Sequence, residues 1–285
     1  MERFFVHEKQ MIMKTDIDRN IHWALTDETT DRADIGRKFG DLTYHKGGSI
    51  VMMMQYILKY HTFIEGLSLY LKDFSHQSTI EDDLFVQLEA VAQENGHWPP
   101  TNKPFSEVMK SWTNQAGFPL VHASLSSGIL SVNQTWLVLD GPTLEKRTWD
   151  IPLTLKSIGI SPAVGWGIGS EPMKWLWQEQ EAADFDVSGL FPDDTPFMMN
   201  IHGTGYYRIN YDQDHWNKLA DVLKSNRDLI HPLDRINLIC DVATLAQTGH
   251  VTMETRDNVL SYIDMETDFG PKLAFQECVS SGFKS

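Results

Sequence analysis

Apolar positions along this chain change their spacing twice, from helical to alternating and back. Ile50, Met54 and Ile57 share one stripe, widened by Val51 and Leu58, which predicts a helix over residues 49–60 that begins at the Gly47-Gly48 pair. Phe63, Leu67 and Leu71 mark a second helix. Ser78, with Glu81 three residues on, is a capping-box pattern and opens a third, which carries Ile80, Leu84, Leu88 and Val91. Trp98-Pro99-Pro100 breaks the pattern, and a short helix over 105–112 follows. Before all of these, residues 1–40 have no clean period, and 14–34 are polar and acidic, as in a surface loop.

At Gly117-Phe118-Pro119 the period becomes that of strands. Residues 120–125 and 129–138 read as two strands joined through Ser126-Ser127-Gly128. Trp149, Ile151, Leu153 and Leu155 alternate, as do Met173, Trp175 and Trp177. Residues 197–201 and 206–211 flank His202-Gly203-Thr204-Gly205 and predict a hairpin. So many short strands predict a small β-sandwich. The run Gly165-x-Gly167-x-Gly169 opens no helix and is a loop rather than a dinucleotide fingerprint. From Gln213 the helical period returns, first with Trp216, Leu219, Ala220 and Leu223. Ile236, Ile239, Cys240, Ala243 and Ala246 follow, ended by Gly249, with two more short helices before Ser285.

The 285 residues suffice for two or three modest cores, and a net charge of -15 argues against nucleic acid or an anionic membrane surface as partner. No apolar run reaches the roughly 18 to 20 residues of a membrane helix, and the N-terminus lacks a signal-peptide pattern. Cys240 and Cys278 imply no disulfide framework; each reads as a small buried apolar residue of a helix. Asn133-Gln134-Thr135 is a glycosylation sequon, which makes Asn133 a candidate acceptor.

Four segments carry a resemblance. They are Tyr44-His45-Lys46-Gly47-Gly48-Ser49, Trp112 to Pro119 (WTNQAGFP), Trp149-Asp150-Ile151-Pro152-Leu153, and Gly205 to Asp212 (GYYRINYD). Together, and in this order, they resemble the aminopeptidase N-type zinc aminopeptidases, the gluzincin membrane alanyl aminopeptidases. The resemblance implies a multidomain α+β chain. Residues 1–115 would be the helical remainder of a thermolysin-like catalytic domain, 116–212 a small β-sandwich, and 213–285 the first helices of an α-superhelical domain. Tyr44 takes the place of the family's transition-state stabiliser.

A zinc peptidase needs two histidines at i and i+4, a glutamate between them and a third ligand downstream. His7-Glu8 opens correctly, but Met11 stands where the second histidine belongs, and no two of the eleven histidines are closer than thirteen residues. The Gly-x-Met-Glu-Asn motif that holds a substrate amine is also missing. The resemblance therefore implies zinc and a peptide substrate for the full-length enzyme. For this chain by itself it implies no bound metal, no general base and no aminopeptidase activity, so whether the chain is an enzyme stays open. The alternative is a non-catalytic binding or receptor module of the same family. The resemblance also implies the extracellular face of the plasma membrane or secretion, leaves a cytosolic form open, admits a homodimer, and implies exposed apolar surface on the first 115 residues.

Other constellations have plainer readings. Glu81-Asp82-Asp83 suits the first turn of a helix, beside its positive end. Met52-Met53-Met54 suits core packing. Arg208 suits a structural role, tying strands to their neighbours.

Overall fold

A computed structural model describes residues 2–20, 23–27, 31–98, 103–140, 143, 145–167 and 173–280. Pro99, Pro100 and Gly169, which the sequence places in a break and a loop, lie outside the described residues. The chain divides into two compact units, one of residues 23–116 and one that combines 1–22 with 117–285.

The order of elements begins with helices α1 (Glu2–Thr15), α2 (Arg32–Lys38), α3 (Asp41–Leu58), α4 (Tyr60–Asp73), α5 (Glu81–Glu94) and α6 (Phe105–Thr113). Among the described residues, nine strands follow: β1 (Pro119–Ser126), β2 (Ile129–Trp136), β3 (Ile151–Leu153), β4 (Leu155–Ser157), β5 (Gly165–Trp166), β6 (Lys174–Leu176), β7 (Ala182–Asp186), β8 (Phe197–Met199) and β9 (Arg208–Tyr211). Helices α7 (Gln213–Asn226), α8 (Pro232–Gln247), α9 (Met253–Leu260) and α10 (Phe269–Phe275) complete the mixed α+β chain, with a π-helical turn at Gln276–Ser280.

In the unit of residues 23–116, α3 to α6 pack each against the next. Buried Ile50, Met53, Met54, Ile57 and Leu58 hold α3 inward. Its start differs from expectation. The helix opens at Asp41, so Gly47 and Gly48 lie inside it, and a Cβ added at Gly47 would meet nothing within 4 Å. Burial of one continuous face, at roughly 1.5–3 kcal/mol per large apolar side chain, outweighs the cost of two interior glycines. Helix α4 buries Thr62, Phe63 and Gly66, while Leu71 points to solvent. Gly66 is what lets α5 close in, because a Cβ there would stand 3.0 Å from Leu88 Cδ2. The α5 cap also shifts: Ile80 is the N-cap and exposed, and the Asp83 carboxylate accepts from its backbone N–H at 2.9 Å.

In the other unit, β1 and β2 pair antiparallel through a two-residue turn at Ser127-Gly128, both with positive φ. They form the middle of a four-stranded sheet ordered β7-β2-β1-β9, in which β9 runs parallel to β1. β3 pairs with β6, and β4 lies between β5 and β8. The predicted hairpin of residues 197–211 is thereby overturned, since β8 and β9 join different sheets. Asn200 diverts the chain between them. It adopts a left-handed conformation, and its side chain bonds Gly205 N–H at 2.8 Å and the carbonyls of Gly205 and Tyr207 at 3.2 and 2.9 Å.

One further expectation fails, and one stretch that gave no clear period proves helical at both ends. Residues 1–40 contain α1 and α2, and α1 packs on α8 through a face that includes buried Lys9 and Gln10. Buried Val6, Ile12 and Met13 share the helix with buried His7, Lys9 and Gln10, and that mixture blurs the hydrophobic period. Cys240 and Cys278 are buried as expected but joined as a disulfide, their Cα atoms 5.3 Å apart across 38 residues. Packing of α8 against the turn at Gln276–Ser280 creates that proximity, which no local sequence signal carries.

Candidate functional site

Tyr44 is the fourth residue of α3, its backbone N–H bonded to the Gly40 carbonyl at 3.2 Å. Three contacts fix the start of this helix. Thr43 donates to the Lys38 carbonyl at 2.5 Å and accepts from Trp23 Nε1 at 3.2 Å, and Ser49 donates back to the His45 carbonyl at 2.7 Å. Leu42 and Lys46 face inward, so Tyr44 must face outward, and it is 59% exposed. Its ring meets Phe39 edge to face with centroids 5.5 Å apart. The result is a phenol on a rigid helical platform, presented to solvent as a hydrogen-bond donor. Other large apolar residues of the unit are exposed as well, among them Tyr60, Leu71 and Ile80.

Among the described residues, no group of three His, Cys, Asp or Glu side chains is placed to hold a metal ion. Glu81, Asp82 and Asp83 are separately engaged, with Thr26 at 2.6 Å, Lys110 at 2.7 Å and the Ile80 N–H at 2.9 Å. Met53 and Met54 are buried and Met52 is at the surface. Arg208 is wholly buried and joins β9 to Asp241 of α8 at 2.7 Å and to Gln10 of α1 at 2.5 Å, the structural role its aromatic strand suggested. Asn133 lies on the exposed face of β2, paired across the sheet with His122 and Ala182.

One feature had no local signal in the sequence. A cavity of about 380 Å³ in the unit of 117–285 brings together His122 of β1, Trp136 of β2, residues 145–147, Glu181 and His250. Burial, reinforced by His250, pushes the His122 imidazole down to about 4. Arg147 lies over the Trp136 ring at 3.8 Å, and Lys146 pairs with Glu181 at 2.7 Å. These residues come from five separate stretches of chain, so only tertiary structure gathers them.

The chain is similar to known proteins over nearly its whole length. Residues 1–112 match the peptidase family M1 domain and residues 196–281 the ERAP1-like C-terminal domain. Aminopeptidase N of Plutella xylostella is 30% identical over 270 residues, covering 94% of this chain and 28% of that protein. Membrane alanyl aminopeptidase of Heliothis virescens is 29% identical over 248 residues, 85% of this chain and 24% of that protein. Aminopeptidase Ey of Gallus gallus is 30% identical over 278 residues, 93% of this chain and 26% of that protein. The chain thus spans about a quarter of the length of these relatives. Two family domains in sequence order, joined by relatives that run through both, make this chain a member of the M1 peptidase family of aminopeptidases.

Proposed function

We propose that this chain supplies the oxyanion-stabilising wall of an M1 aminopeptidase that removes N-terminal residues from peptides. The observation that carries the proposal is the exposed Tyr44 phenol, held on α3 beside Phe39. Amide hydrolysis passes through a tetrahedral oxyanion, and a fixed phenol O–H stabilises that state more than the ground-state carbonyl. The family is zinc-dependent in general, and in this reading the metal and the attacking water belong to segments that this sequence does not contain. By itself the chain is then inactive.

In the same reading, residues 1–115 complete a thermolysin-like catalytic domain, 116–212 form a β-sandwich and 213–285 begin a superhelical array. Three separate small sheets and the succession α7 to α10 support those assignments. We assign the chain to the extracellular face of the plasma membrane or to secretion. The Cys240–Cys278 disulfide supports that compartment, since such bonds persist where the surroundings oxidise. Asn133, exposed on β2, is then a glycan acceptor, and loss of mass on treatment with an N-glycosidase tests it.

The deciding experiment compares two proteins. This chain alone should not hydrolyse an aminoacyl-anilide. In a longer polypeptide that carries the metal-binding segment, Tyr44→Phe should lower kcat about 100- to 1,000-fold with KM little changed. Full activity of Tyr44→Phe removes the catalytic role of the phenol. Hydrolysis by the short chain alone, abolished by a chelator, overturns its inactivity.

A further inference from the structure

The cavity against β1 and β2, in the unit that contains residues 117–285, has the chemistry of a binding site. We propose that it takes a small zwitterion, a free amino acid or a dipeptide. About 380 Å³ falls within the range of small-molecule sites. Its rim carries two acids, Glu145 and Glu181, and two bases, Lys146 and Arg147. His122 adds no charge at neutral pH, because burial and the neighbouring His250 keep it in the neutral form.

That balance selects the ligand. A phosphate or a dicarboxylate would face Glu145 and Glu181, and a polyamine would face Lys146 and Arg147. A zwitterion meets one partner at each end: its ammonium takes Glu181 and its carboxylate takes Lys146. The two residues now pair with each other at 2.7 Å, but their side chains are 76% and 63% exposed. Such a rim pair is held weakly, so a ligand that inserts between them replaces one ion pair with two. Arg147 supplies the platform beneath. Its guanidinium lies 3.8 Å above the Trp136 ring, clamped by Glu145 at 2.7 Å, and so presents a flat surface to the ligand's body. The site does not depend on the catalytic reading of Tyr44.

The test is a titration of the isotope-labelled 285-residue chain with L-leucine, followed by amide chemical shifts. Leucinamide and N-acetyl-leucine are compared at the same concentrations, and so are the exposed rim variants Glu181→Gln and Lys146→Gln. Saturable shifts centred on residues 122, 146 and 181 are expected, with affinity reduced about tenfold or more in either analogue and either variant. Shifts that do not saturate overturn the proposal. So does equal binding of an analogue that lacks one charge, or unchanged affinity in both rim variants.

Discussion

Arg208 Nη1 and Asp241 Oδ1 lie 2.7 Å apart, with the guanidinium fully buried and the carboxylate nearly so. The pair sits where β9, α8 and α1 converge, because the same guanidinium also reaches Gln10. Removing one partner leaves the other as an uncompensated buried charge. Arg208→Met should therefore cost about 3–5 kcal/mol, and Arg208→Met with Asp241→Leu should cost less than the two single changes summed. Urea unfolding followed by tryptophan fluorescence measures this. A loss below about 1 kcal/mol in Arg208→Met contradicts it.

Two glycines should respond oppositely to alanine. Gly117 has φ +79°, and a Cβ there would stand 2.4 Å from Trp136 Nε1. Gly117→Ala combines left-handed strain with a clash and should destabilise by about 1–3 kcal/mol. Gly47 lies inside α3 with open space around it, so Gly47→Ala should stabilise by up to about 1 kcal/mol. Paired thermal melts give both signs at once.

Acid should weaken the sheet through His122. Trp216 Nε1 donates to Asn210 Oδ1 at 3.1 Å, which turns the Asn210 amide NH₂ toward His122 Nδ1 at 3.3 Å. Nδ1 must then accept, and Nε2–H donates to Thr135 Oγ1 at 3.1 Å. A protonated imidazole cannot make this set. Its pKa falls from 6.5 to about 4, so its contribution is complete above pH 6.5 and is lost as pH drops toward 4. Buried His215, against the Phe197 carbonyl, has the same sign and range. His122→Gln should flatten part of this dependence, and a ring-proton titration midpoint of His122 near 6.5 refutes the mechanism.

The Cys240–Cys278 bond closes a 38-residue interval. In the loop-closure description its removal costs about 4 kcal/mol at room temperature. Cys240→Ala with Cys278→Ala should lower the melting temperature by the same amount as thorough reduction of the native chain. Alkylation of the unfolded, unreduced chain should find no free thiol at either position; two modified cysteines would show the bond is not formed.

Local pattern alone was enough to place α3, α5 to α8, and the β1–β2 pair. In each of these, apolar residues recur at a period that matches the backbone, and that period is a property of neighbours in sequence. The four segments that resemble the aminopeptidases were equally legible, as was Tyr44, because such motifs are contiguous. Helix α1 was not legible, since its buried positions mix Val6, Ile12 and Met13 with Lys9 and Gln10, and the polar ones blur the hydrophobic period. Nor was the separation of β8 from β9, which depends on Asn200 satisfying backbone groups of residues 205 and 207. Tertiary structure alone joined Cys240 to Cys278 and drew His122, Lys146 and Glu181 around one cavity. Those relationships link residues far apart in the chain, and only the packing of whole elements decides which distant side chains meet.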